Sequence, residues 1–143
     1  MSWDILILNS IKPVDFEQGD WPNFDLRESV INKIKATFPD SNWKDSSWGM
    51  VENAKAIIEF NVGDDEDIGN NFMIHVRGGE NPSREIIKMC KQNNWIAYDI
   101  SGDLYLDDAN PSANSFKEWA DYKDQVVNAN KPGGNFGENF DCF

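Results

Sequence analysis

The chain is poor in the residues that most often announce a chemistry. It holds one histidine and two cysteines in 143 residues. One His and two distant Cys make no local zinc signature, and no spaced set of cysteines is present to staple a disulfide scaffold. Basic residues are also scarce, 13 Lys and Arg against 25 Asp and Glu, which leaves a formal net charge of -12. Nucleic acid and anionic membrane surfaces are bound by clustered Lys and Arg that neutralise phosphate, so both are excluded as partners, while a basic protein is not. Long apolar runs are missing too. The stretch from Met1 to Asn9 has no positive leader region and too short an apolar run for a signal peptide or a membrane span. Where Asn stands two residues before Ser, at Asn81 and Asn110, the intervening residue is Pro, which removes the glycosylation acceptor. With both cysteines read as free thiols, the expected location is the cytoplasm.

What the chain has in quantity is aromatic surface. Aromatic residues make up 13% of it, with six Trp and nine Phe, and hydrophobic residues 40%, which is too apolar for a disordered chain despite the charge. A chain of this length buries roughly two thirds of its unfolded surface and needs no metal to fold. Residues 1–130 are read as a single α+β domain and residues 131–143, rich in Gly and Asn, as a flexible tail.

Periodicity divides the domain. Trp3 to Leu8 is a short apolar run interrupted by Asp4, which fits a strand with one wetter face or an edge strand. Lys12 to Phe24 contains Pro13, Gly19 and Pro22 and reads as a surface loop whose Phe16 and Trp21 tuck onto the core. Asp25, followed three residues later by Glu28, has the form of a capping box. Leu26, Val30, Ile31, Ile34 and Phe38 then recur at helical spacing up to Pro39.

After a polar link carrying Trp43 and Trp48, Gly49 to Glu52 and Ala56 to Val62 form a hairpin about Asn53-Ala54-Lys55. A further strand carries Phe72, Ile74 and Val76 on one face and Met73, His75 and Arg77 on the other. The intervening turn, Gly63 to Asn71, is loaded with Gly, Asn and acids, so these strands are expected to be antiparallel neighbours. Gly78-Gly79 breaks the strand, and Asn81-Pro82 opens a second helix that buries Ile86, Ile87, Met89 and Cys90. Trp95 to Ile100 and Leu104 to Leu106 are paired strands about Ser101-Gly102, and a last helix runs from about Ser112 to Asn128.

The predicted class is α+β: a largely antiparallel sheet with helices packed on one face, in the order strand, helix, hairpin, strand, helix, hairpin, helix. The other face carries Glu59, Asn61, His75 and Arg77.

Few positions invite chemistry. His75 faces Glu59 in the simplest hairpin register, where a carboxylate raises the imidazole pKa and orients the ring for acid or base work. The plainer reading is a surface histidine paired with a neighbour, since local sequence sets no Ser or Cys nucleophile beside it. Cys90 falls on the buried side of its helix, where thiols are usually inert. Asp64, Asp65, Glu66 and Asp67 could offer oxygen ligands to a hard cation, but the Gly and Glu positions of an EF-hand loop do not fall in place, and a solvated turn is favoured. Arg77-Gly78-Gly79 lacks a full phosphate-binding pattern in acidic surroundings and reads as a turn that needs flexible dihedrals. No metal and no cofactor is expected. Trp21, Trp43 and Trp48 lie among Asp, Asn and Ser; the plainer reading is that they lid the core from loops, but aromatics beside acids are also what a protein-binding surface uses to anchor and steer a basic partner.

The segments Trp48-Gly49, Ile58-Glu59-Phe60-Asn61-Val62-Gly63, His75-Val76-Arg77-Gly78-Gly79 and Trp95-Ile-Ala-Tyr-Asp-Ile-Ser resemble those of a family of small, uncharacterised bacterial proteins. The resemblance covers about residues 1–108 and implies a cytoplasmic bacterial α+β domain with no activity to carry over. In general character the chain is also similar to immunity proteins that neutralise secreted bacterial toxins, a likeness of composition and not of motif.

The leading expectation is a non-enzymatic protein-binding module, immunity-like, that meets a basic effector through Trp43, Asp45, Trp48 and the turn Asp64, Asp65, Glu66 and Asp67. The alternative is a small enzyme or ligand-binding domain using Glu59, His75 and Arg77 on the sheet face. Self-association into a homo-oligomer through the sheet face and the Trp residues is the third.

Overall fold

Alternation along the strands decides which side of the sheet is dry. The computed structural model describes residues 2–107, 117 and 119–121. In β1 (Trp3–Leu8) the side chains of Trp3, Ile5 and Ile7 are buried on one face, while Asp4 and Leu6 turn to the other and stay half-buried. The same two-residue period runs through β5 (Asn71–Gly79), where Phe72, Ile74 and Val76 are buried and Met73 and His75 are not.

Between these come α1 (Arg27–Thr37), β2 (Asn42–Asp45), β3 (Trp48–Glu52) and β4 (Ala56–Asn61). After them come α2 (Ser83–Asn93), β6 (Ile96–Asp99) and β7 (Leu104–Tyr105). The seven strands among the described residues form one sheet in the order β2-β3-β4-β5-β1-β6-β7, every pairing antiparallel. The expected α+β class holds. α1 and α2 bring their apolar stripes to one face: Val30, Ile31 and Ile34 of α1 and Ile86, Ile87, Met89 and Cys90 of α2 join Trp3, Ile5, Phe60 and Ile74 in a continuous core.

The alternative left open for the first strand is settled by β1 lying inside the sheet between β5 and β6. It is held there by backbone pairing and by a polar anchor within the core. Asp99 of β6 is wholly buried and accepts the Trp3 indole N–H at 3.1 Å. Its carboxylate also accepts Ser101 Oγ–H and the Gly102 N–H, each at 3.2 Å, and so ties the β6–β7 turn to the first strand.

Several local expectations give way to tertiary contacts. Asp25 makes no cap for α1; its carboxylate reaches Lys33 at 2.9 Å. Leu26 leaves the apolar stripe and stands 63% exposed, because its backbone bridges to Asp67 while Arg27 N–H donates to Glu66 O at 2.9 Å. The acidic turn thus fixes the start of α1 where a side-chain cap was expected. At α2 the Asn81 carboxamide oxygen does accept the Ser83 N–H, at 2.9 Å.

The link before Trp48 contains a strand, β2, that its polar residues hide; it pairs with β3 irregularly between Asn42 and Asp45. Gly78 and Gly79 continue β5 instead of ending it. A bulge beside Ile57 and Ile58 leaves Arg77 without a direct partner, and Gly79 at φ 86° passes so near the β3–β4 turn that a Cβ would stand 2.4 Å from Lys55 O. Phe16 and Trp21 pack beside the face opposite the helices rather than into the core: Phe16 meets Tyr98 at 5.0 Å and Trp21 at 5.9 Å. Phe24 takes the core position, against Phe72 and Trp95. Of the last expected helix, residues 117 and 119–121 are described and helical; the rest of it and the tail at 131–143 lie outside the described residues.

Gly49 has a packing reason that its neighbours supply. The Trp43 indole lies over β3 and stacks on Phe60 at 6.0 Å, and a Cβ at Gly49 would fall 2.3 Å from the Trp43 ring. Gly49→Ala is expected to cost about 1–3 kcal/mol in denaturant unfolding, the range for overpacking, and to shift Trp43 emission toward that of a hydrated indole.

Candidate protein-binding face

The face opposite the helices is organised in two cross-strand rows. Register places Met50 opposite Glu59, Glu59 opposite His75, and His75 opposite Asp4, one row across β3, β4, β5 and β1. The next row runs Trp48, Asn61, Met73, Leu6, Tyr98 and Tyr105 across six strands. The loop after β1 covers the Tyr98 and Tyr105 end, with Val14 N–H donating to Tyr105 Oη at 3.1 Å and Trp21 Nε1–H to Asn70 O at 2.7 Å. Tyr98 donates to Asp103, and that bond pushes its phenol up to about 12. The β2–β3–β4 end is left uncovered by this loop.

The charged row is saturated from within. Arg77 Nε–H donates to Glu59, which is only 7% exposed, and His75 Nδ1 meets Asp4 Oδ1 at 2.7 Å. The His75–Glu59 pairing expected from the hairpin is thus correct in register, while the hydrogen bond goes to β1, a strand remote in sequence. Burial pushes the Asp4 carboxyl up. The hydrogen bonds from His75 and Ser2, with the His75 and Arg77 charges, outweigh that and hold it below its ordinary value.

A carboxylate behind an imidazole is two thirds of a nucleophilic triad, but the remaining part is missing here. Ser2 Oγ–H donates to Asp4, not to the ring, and no described Ser or Cys is hydrogen-bonded to His75. Cys90 is buried among apolar side chains, which pushes its thiol up to about 12, far from a reactive thiolate.

Trp48 connects this row to the edge of the sheet. Its indole reaches over β4 and stacks on the His75 ring, centroids 5.8 Å apart and planes 17° from parallel. Trp48 also lines a cleft of about 550 Å³ together with Met50, Asp40, Asp45, Glu52 and Lys44. Asp45 sits directly across from Trp48. Hydrogen bonds from the Ser47 hydroxyl at 2.6 Å and the Ser47 N–H at 2.9 Å hold its carboxyl below the usual value.

The residues expected to form one partner surface are divided by the sheet. Asp45 and Trp48 lie together on the open face. Trp43 turns to the helical side, over Phe60, with its Nε1–H on Ser41 Oγ at 3.0 Å. Asp64, Asp65, Glu66 and Asp67 are exposed at the β4–β5 turn, where the backbone of Glu66 and Asp67 engages the start of α1. Among the described residues no group of three or more His, Cys, Asp or Glu could hold a metal ion. Nor is any described helix long and apolar enough to cross a membrane. Sequence reasoning missed Asp40, Met50 and Glu52 as neighbours of Trp48, although period-2 spacing from Trp48 through Met50 to Glu52 carried the signal for two of them.

No protein-family model, curated protein or solved structure matches the chain.

The Asp4–His75 bond makes a signed prediction. A carboxyl depressed in the folded state contributes stability that is complete above its unfolded value, 3.8, and is lost as pH falls through the folded value. The stability gap between the wild type and Asp4→Asn should therefore hold steady just above the unfolded value and narrow as pH falls below it, read from denaturant midpoints.

Proposed function

We propose that this domain is a non-enzymatic protein-binding module that takes a basic protein partner in the Trp48 cleft, in its most concrete form an immunity-like inhibitor of a basic bacterial effector. The observation that supports this most is the composition of the cleft. An indole and a thioether line it, and three carboxylates, Asp40, Asp45 and Glu52, surround them beside a single Lys44, on a chain of net charge -12. An Arg or Lys side chain entering there would lie on Trp48 while pairing with Asp45.

The net charge steers a cationic partner from a distance, and the aromatic supplies the desolvated contact that holds it once docked. A cytoplasmic bacterial setting belongs to this reading, with the buried free thiol of Cys90 as its support. The saturation of Glu59, Arg77, His75 and Asp4 by one another weighs against the enzymatic alternative.

The test uses hexa-arginine peptide as a probe in calorimetric titration. Trp48→Ala should weaken binding by about tenfold, the scale of an aromatic anchor at an interface. Asp45→Asn with Glu52→Gln should weaken it severalfold more than Asp64→Asn with Asp65→Asn, a pair that removes the same charge elsewhere. Binding in the wild type should fall steeply between about 50 mM and about 300 mM salt. Equal losses in the two charge pairs, with no loss in Trp48→Ala, would reduce the binding to diffuse polyanion attraction and contradict the assignment.

A further inference from the structure

The cleft and the histidine share one aromatic ring. Trp48 lines the cleft and stacks on His75, 5.8 Å between centroids, and His75 is in turn held by Asp4 at 2.7 Å. We infer that His75 is a proton-sensitive positioning residue for the Trp48 cleft, weakening its hold on a cationic partner as the imidazole gains its proton. This inference rests on the reading of the cleft as a cation site and specifies its regulation.

Competition for one indole and the sign of the added charge act in the same direction. A neutral imidazole stacks on Trp48 as one aromatic on another. An imidazolium in the same place is a cation on the π face, drawing on the electron density that an incoming Arg or Lys would use. It also adds a positive charge beside the residue that lines the cleft.

The groups facing His75 from its surroundings are Asp4 on β1, Glu59 on β4 and Arg77 on its own strand; β3 contributes Trp48 and Met50, which do not titrate. Two carboxylates and one guanidinium sum to -1, and the imidazole proton brings the row to zero. By linkage, a proton that weakens the hold on a cationic partner must itself be held less tightly, by the same factor, once that partner is bound. Asp4 and Asp45, both held below the ordinary carboxylate value, stay ionised while a histidine changes charge, so the change in sign comes from His75.

Two readouts separate this inference from the reading beneath it. The first is the Trp48 indole N–H resonance, assigned by its loss in Trp48→Phe and followed in the free protein from about pH 7.5 to about pH 5.5, the range in which histidine titrates. It should move with the His75 ring resonances in the wild type and stay still in His75→Gln, which keeps a side-chain donor for Asp4. The second is the affinity for hexa-arginine at the two ends of that range, expected to fall about three- to tenfold in the wild type and to remain level in His75→Gln. A static Trp48 resonance, or an equal fall in affinity in both proteins, overturns the inference. A moving resonance with no peptide binding at either pH upholds the coupling between His75 and Trp48 and overturns the cation-site reading instead.

Discussion

The pairing on which everything else depends is that of the first strand with the fifth. β1 enters the sheet between β5 and β6, with Trp3 opposite Val76 and Leu8 opposite Asn71, and so joins the two ends of the described sequence through the middle of the sheet. Because side chains alternate with a period of two, this one register determines both faces together. It sends Trp3, Ile5 and Ile7 into the core beneath the helices, and it brings Asp4 to His75 on the far side. A slip of one residue would bury Asp4 and expose the Trp3 indole that Asp99 holds. The Trp3–Asp99 bond makes such a slip costly, since a buried carboxylate would lose a donor it cannot replace with water.

From that register the open face follows as a sequence of dependent contacts. Asp4 orients His75, His75 stacks on Trp48, and Trp48 lines the cleft rimmed by Asp40, Asp45 and Glu52. The opposite face depends on a different aromatic. Gly49 gives Trp43 the room to lie on Phe60, so the two Trp residues of the β2–β3 segment serve opposite sides of the same sheet, one as a lid on the core and one as part of the exposed surface. Charge is partitioned in the same way: Glu59 and Arg77 neutralise each other close to the sheet, while Asp40, Asp45 and Glu52 remain at the rim.

What the sequence made legible was whatever is local. The alternation in β4 and β5 and the acidic turn between them were enough to set Glu59 opposite His75, and the apolar spacing of α2 identified its buried residues. The cap of α1 was not legible, because the backbone of a turn some forty residues away took over the role assigned to Asp25. β2 was hidden by its composition, Asn-Trp-Lys-Asp, since an irregular edge strand needs little apolar surface. The partner of His75 was out of reach for a related reason: Asp4 was visible as a polar residue in an apolar strand, but which strand would lie beside β5 is a property of the whole sheet. The proposed surface was likewise read as one patch, because nothing in local sequence says on which face of a bulged hairpin a Trp will fall.

The central claim is that cationic partners meet this protein on the open face at the β2–β3 end, and residue-level mapping addresses it most directly. Backbone and indole resonances recorded during addition of hexa-arginine should shift at Asp40, Asn42 to Asp45 and Trp48 to Glu52, with the Trp48 indole moving most. Shifts centred on Asp64 to Asp67 and the Trp43 indole, with the Trp48 cleft unchanged, would contradict the account.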